Sequence, residues 1–280
     1  MSGGVVYRRV RVKGAFTKSG LPEFDYSINP YFGCEFACVY CYARKYFLAR
    51  GVEYEWGSYV EVKVNLPEVA AEELRRIPRG SSVGIGVSTD PYQPAEARER
   101  VTRRLLEAIA GRKGLEISIQ TKSPLVLRDA DLIASAPRVD VGFTVLTLDR
   151  GLARAIEPRA PSPRSRLRAA AALSRMGVET WVFIGPVLPY ITDDEETIRE
   201  VVEASCSAGV RRIYVDNLRF RPGVRESMLR FLREWDEGLY RKYATLGREG
   251  IARSYRAAVE VARRVAREWG VELENVGYPA

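Results

Sequence analysis

Apolar positions along the chain change their period several times, and each change predicts an element. Six short runs rich in β-branched and aromatic residues read as strands: FDYSIN (24–29), SVGIGVS (82–88), LEISIQT (115–121), VDVGFTVL (139–146), ETWVFIG (179–185) and RRIYVD (211–216). Between them the apolar spacing becomes helical, over roughly 67–77, 95–111, 129–135, 149–156 with 163–176, and 193–208. Such alternation is the signature of βα units on a parallel sheet, and every interval is long enough for a right-handed crossover. The first interval is unusually long. It holds an alternating run, YVEVKVN (59–65), that predicts an additional strand hung over one end of the barrel. After residue 220 the pattern is helical almost to the end, with Gly238, Gly247 and Gly250 as the expected breaks. With no internal repeat and no low-complexity linker, the reading is one α/β barrel domain over 24–220. An N-terminal extension over 1–23 and a helical C-terminal extension over 221–280 flank it.

Composition narrows the partners rather than the fold. Of 280 residues, 46% are hydrophobic and 29% charged, the makeup of a folded globular chain, and no stretch approaches the length of a membrane span. The opening MSGGVVYRRVRVKG carries charge but no apolar run before a small-residue cleavage site, so a cytoplasmic location is expected. A net charge of +8 favours an anionic partner such as nucleic acid. The basic residues are spread along the chain, however, and an Arg- and Glu-rich surface is equally a mark of heat-adapted proteins. Histidine is absent, which excludes catalysis by a His-containing triad and by His-ligated zinc.

Parallel barrels place their chemistry at the C-terminal ends of the strands. The residues there are strongly polar: Ser88, Thr89 and Asp90 after the second strand, Gln120, Thr121 and Lys122 at the third, Thr144 and Thr147 with the fourth, and Asp216, Asn217 and Arg219 at the sixth. After the first comes CEFACVYC, which spaces Cys34, Cys38 and Cys41 as C-x3-C-x2-C, so that three thiolates can converge on three corners of one 4Fe-4S cluster. With no fourth cysteine nearby, one iron stays open to the amino and carboxylate groups of S-adenosylmethionine (SAM). An electron passed to the sulfonium then breaks a carbon–sulfur bond and releases a 5′-deoxyadenosyl radical. Structural zinc is the rival, but it wants four ligands. The remaining cysteine, Cys206, falls at helical spacing with Ile198, Val201, Val202 and Ser205 and reads as core. Tyr40, just before the last cysteine of the triplet, could stack beside the adenine of SAM or pack under the loop.

The triplet resembles the signature of the radical SAM superfamily, C-x3-C-x-aromatic-C, met here by Cys34, Cys38, Tyr40 and Cys41. More narrowly, NPYFGCEFACVYCYAR, STDPYQPAE, QTKSPLVLRD and EPRAPSPRSRL resemble the spore photoproduct lyase-like branch, over about residues 24–219. The resemblance implies a partial (β/α)6 TIM-type barrel, in agreement with the strand pattern. It also implies that Ser88, Thr89 and Asp90 meet the amino group of SAM, Lys122 its carboxylate and Thr144 its ribose region. By the same resemblance the Pro-rich loop with Glu157 and Arg159 lies near the active face. There Glu157 would orient the cofactor ribose or a substrate, or the two charges would pin the loop by a salt bridge. Ordinary roles stand beside these: Asp90 before Pro91 suits a helix N-cap, threonine is common in strands, and Lys122 can face solvent. One position departs from the branch. Val87 stands where spore photoproduct lyases carry the cysteine that returns a hydrogen atom to the product radical, so lesion reversal by that route is not implied.

The expected function is therefore hydrogen abstraction by a SAM-derived radical, fed by an unidentified electron donor, with a nucleic acid or nucleotide as the favoured substrate for repair or modification. Tyr7, Tyr26, Tyr42, Tyr46 and Tyr92, mixed with Arg44 and Lys45, offer stacking and phosphate contacts. Radical modification of a protein or small metabolite is the second enzymatic reading. A third is a non-catalytic iron–sulfur or zinc protein that binds nucleic acid through Tyr240, Arg241, Lys242, Tyr243, Arg253, Tyr255 and Arg256. The polar strand ends favour an enzyme, since a binding module has no need of them.

Overall fold

A computed structural model describes residues 4–275. Its strands are β1 (Val6–Val10), β2 (Thr17–Lys18), β3 (Tyr26–Ile28), β4 (Tyr31–Phe32), β5 (Tyr59–Lys63), β6 (Ser81–Ile85), β7 (Leu115–Thr121), β8 (Val139–Thr144), β9 (Glu179–Val187), β10 (Arg212–Asn217) and β11 (Glu272–Asn275). The main sheet runs β11-β10-β9-β8-β7-β6-β3-β2. Every neighbouring pair in it is parallel except β2 with β3. The end strands do not pair with each other, so the barrel is partial, as the resemblance implies.

Strand alternation sorts the residues between two environments. Ile117, Ile119, Val141, Phe143, Val182, Ile184, Ile213 and Val215 are buried in the core with the helices. Their neighbours Ser118, Gln120, Asp140, Thr144, Trp181, Phe183, Arg212 and Tyr214 line the lumen. The inside of this barrel is thus polar and aromatic rather than a filled apolar core.

Helices α2 (Leu66–Glu73), α3 (Glu96–Glu99), α4 (Val101–Ile109), α5 (Ala130–Ser135), α6 (Arg150–Ile156), α7 (Pro163–Arg175) and α8 (Glu195–Ser207) fall where the apolar spacing predicts them, while the short α1 (Arg44–Ala49), just after the cysteines, was not expected. The one stretch expected over 95–111 is split. Arg100 adopts a left-handed φ of 52°, and buried Glu96 accepts the backbone N–H of Thr102 at 2.9 Å and of Arg103 at 3.2 Å, which caps α4 from within α3. The second barrel strand also ends earlier than expected. Gly86 turns the chain at φ 91°, where a Cβ would lie 2.5 Å from Pro91, so Val87 and Ser88 belong to the loop above it.

The predicted extra strand is β5, which pairs parallel with β1 and antiparallel with β4 in a separate three-stranded sheet. The tail holds α9 (Val224–Trp235), α10 (Glu237–Ala244) and α11 (Arg248–Glu268). Its breaks are only partly the glycines expected. Asp236 stops α9 and caps α10 by accepting the Leu239 N–H at 2.9 Å, while Gly238 and Gly250 lie inside helices and Gly247 caps α11. The tail also ends in a strand, since β11 adds to the open side of β10. Among the described residues no helix is long and apolar enough to cross a membrane.

Candidate active site

The three cysteines sit in a loop after β4, with Cys34 and Cys38 buried and Cys41 half-buried. All three line one cavity of about 1370 Å³ that opens along the lumen, and Cys206, on α8, does not line it. Two glycines let the loop approach its supports. A Cβ on Gly33 (φ 82°) would stand 2.3 Å from the Tyr59 carbonyl oxygen, and one on Gly57 (φ 97°) 2.5 Å from the Cβ of Ala37, itself left-handed at φ 57°.

Polar side chains fix the loop from below. The Gly33 carbonyl accepts Thr89 Oγ1 at 2.5 Å and Gln93 Nε2 at 3.3 Å, and the Glu35 N–H donates to Gln93 Oε1 at 2.9 Å. The buried Glu35 carboxylate accepts the Ala95 N–H at 2.7 Å and the Tyr7 hydroxyl at 2.8 Å. Arg44 donates to the Cys38 carbonyl at 3.3 Å.

Among the described residues, no three cysteine or carboxylate side chains are placed to share one metal ion. A cubane takes one thiolate on each of three irons, whereas structural zinc wants four ligands on a single ion. Burial pushes all three thiols up, Cys38 to about 12, while the Lys122 ammonium pulls Cys38 and Cys41 back. Iron must therefore displace protons to bind.

The strand ends named from the sequence line the same cavity: Tyr40, Ser88, Thr89, Asp90, Lys122 and Thr144. Asp90 is fully engaged by the protein. One oxygen accepts the Tyr92 N–H at 2.9 Å and the Thr121 hydroxyl at 2.7 Å, and the other accepts the Lys122 N–H at 2.7 Å. It ties the end of β6 to the end of β7. The Ser88 N–H donates to Asn29 Oδ1 at 2.8 Å, and Thr144 Oγ1 accepts Gln120 Nε2 at 3.2 Å. Lys122 holds its Nζ 5.9 Å from the centre of the Tyr40 ring. Burial works against its charge, but Cys38, Glu157 and Asp90 outweigh that and raise its pKa, so it stays an ammonium. Glu157 is placed differently from its fellows. It does not line the cavity; it lies behind Tyr40, accepting the tyrosine hydroxyl on one oxygen and Arg166 on the other. Arg159 does grip the loop, through the Gly57 carbonyl at 2.6 Å.

The description "Radical SAM superfamily" fits residues 28–202 of this sequence by family comparison. The chain belongs to the radical SAM superfamily. A protein of Methanocaldococcus jannaschii is 35% identical over 201 residues, 71% of this chain and 74% of that one, and one of Mycobacterium tuberculosis is 34% identical over 265 residues, 90% and 77% respectively. The radical SAM Nalpha-GlyT isomerase of Pseudomonas phage M6 is 26% identical over 279 residues, 95% of this chain but 54% of its own length. Among solved structures, a spore photoproduct lyase variant with bound AdoMet and dinucleoside spore photoproduct superposes with a TM-score of 0.73 at 17% identity, covering 99% of this chain and 82% of that one. Radical SAM enzymes use a 4Fe-4S cluster and SAM, and a donor set of three thiols with no fourth facing the cavity fits that pair. The sequence reading gave no role to Glu35, Gln93 or Arg166, and it offered Tyr7 for stacking where the structure sets its hydroxyl on Glu35. All three lay in segments it singled out: Glu35 inside CEFACVYC, Gln93 inside STDPYQPAE and Arg166 inside EPRAPSPRSRL.

Proposed function

We propose that this radical SAM enzyme carries its cluster on Cys34, Cys38 and Cys41, binds SAM against the ends of β6, β7 and β8, and acts on a nucleic acid or nucleotide. The carrying observation is that three thiols and the polar strand ends line one cavity, whose 1370 Å³ exceeds the roughly 300–1000 Å³ of a single-ligand pocket. There is room for cofactor and substrate together. When bound, the cluster and SAM supply reductive cleavage of a carbon–sulfur bond and a 5′-deoxyadenosyl radical that takes hydrogen from the substrate. The protein's part is placement. Lys122 offers a point charge to the SAM carboxylate, Ser88 and Thr89 stand beside the amino group, Tyr40 beside the adenine, and Thr144 near the ribose. Asp90, with its oxygens already engaged, holds that wall in shape, and Glu157 positions Tyr40 from behind.

The nucleic-acid reading rests on the mouth. Tyr42 and Tyr46 are exposed there, with Lys45 Nζ 4.6 Å from the Tyr46 ring centre, and Arg219 and Arg221 line the same rim. Tyr92 is buried and Tyr7 is spent on Glu35, so neither serves. The name of the lyase variant bound to a dinucleoside points the same way. Against a purely binding role, Tyr243 is buried, while Tyr240 and Arg241 are engaged by Arg233 and Glu237.

The test is anaerobic reconstitution. Native protein should hold four irons per chain and, once reduced, release 5′-deoxyadenosine from SAM, while Cys34→Ala, Cys38→Ala and Cys41→Ala each lose the cluster absorbance. Native protein carrying zinc in place of iron would sink the reading.

A further inference from the structure

The Pro-rich loop after α6 is tied to the cysteine triplet through charge as well as shape. Arg166, 1% exposed in the first turn of α7, spends its whole guanidinium on fixed acceptors. Its Nε donates to the Pro161 carbonyl at 2.9 Å, one terminal nitrogen to the Thr144 carbonyl at 2.9 Å, and the other to Glu157, 2% exposed. The second Glu157 oxygen accepts the hydroxyl of Tyr40, which lies between Cys38 and Cys41 in the chain. One residue earlier, the Val39 N–H donates to the Ile156 carbonyl at 3.0 Å. Lys122 holds its Nζ over the Tyr40 ring, 5.9 Å from the centre.

Three full charges, two positive and one negative, are therefore locked around the residue that joins two of the cysteines. A buried ion pair adds little stability, but its field is screened far less than that of a surface pair. Adding an electron to an iron–sulfur cluster adds a negative charge, and net nearby charge is one of the levers on its potential.

We propose that Glu157 and Arg166 are positioning residues that set the reduction potential of the cluster, Glu157 offsetting the positive charge of Arg166 and Lys122 while its hydrogen bond orients Tyr40. The inference rests on the cluster being carried by Cys34, Cys38 and Cys41. Neutralising Glu157 leaves the positive charges unopposed, so the electron is held more tightly. Neutralising Arg166 does the reverse.

The experiment is a redox titration of the loaded protein followed by electron paramagnetic resonance, for native, Glu157→Gln, Arg166→Gln and the double variant. The midpoint should rise in Glu157→Gln, fall in Arg166→Gln and return toward native in the pair. Shifts in the same direction, or none with the cluster intact, overturn the proposal. So does loss of iron from all three variants while their circular dichroism and melting match native, since that marks a role in loop shape alone. Native protein that holds no cubane defeats the underlying reading instead, and is seen before any variant is made.

Discussion

An ammonium near the Cys38 and Cys41 thiols is at odds with its own burial, and Lys122 keeps its charge because Cys38, Glu157 and Asp90 outweigh that burial. Replacing it by methionine keeps the stem and removes the charge. We expect SAM affinity of the cluster-loaded protein to fall about ten- to a hundredfold, from the loss of a charge-assisted hydrogen bond of about 1.5–3 kcal/mol. Calorimetry on Lys122→Met checks this, and unchanged affinity would move the carboxylate contact elsewhere. At this scale the sequence was legible wherever chemistry lies in local spacing: C-x3-C-x2-C puts three thiols on one loop whatever surrounds them. It was silent where a side chain acts on a residue far along the chain. Glu35 meets Ala95, Arg166 reaches Thr144, and Tyr40 reaches Glu157, contacts no periodicity encodes. Glu157 shows the difference: which way its carboxylate points is decided by Arg166, and that turns it from the cavity.

Elements were legible in proportion to their length and burial. The six parallel strands and the helices between them have clear periods because each buries one side completely. The two-residue strands β2 and β4 carry no period at all, and β11 is visible only because β10 has an open side to receive it. The tail looked like an appendage because its helices continue one after another. Yet Ala258, Val259, Ala262, Val265 and Ala266 of α11 are buried in the barrel core, against α8 and β10. A chain ending at Gly247 should therefore lose its cooperative thermal transition, with the isoleucine- and valine-lined surface of α8 and β10 exposed to dye binding. A truncated protein that melts like the native one would show α11 to be dispensable.

Over the whole molecule, a charge of +8 and a rim of Lys45, Arg219 and Arg221 predict how binding depends on salt. The logarithm of the association constant for a single-stranded oligonucleotide should fall linearly with the logarithm of salt concentration, by about 0.7 for each phosphate neutralised. Arg221→Ala should make that slope shallower by about one. Fluorescence anisotropy across a salt series measures both, and a flat line removes nucleic acid as the partner.

The gap in the sheet bears on how such a partner would be engaged. Because β11 and β2 do not pair, no strand pairing seals the wall on that side, and Thr17 and Lys18 of β2 line the chamber. A slot admits a filament crosswise, whereas a closed ring must be threaded. Were the proposed nucleic acid to enter on that side, it would present any internal unit to the chemistry without a terminus to feed through, and circular substrates would be served as readily as linear ones.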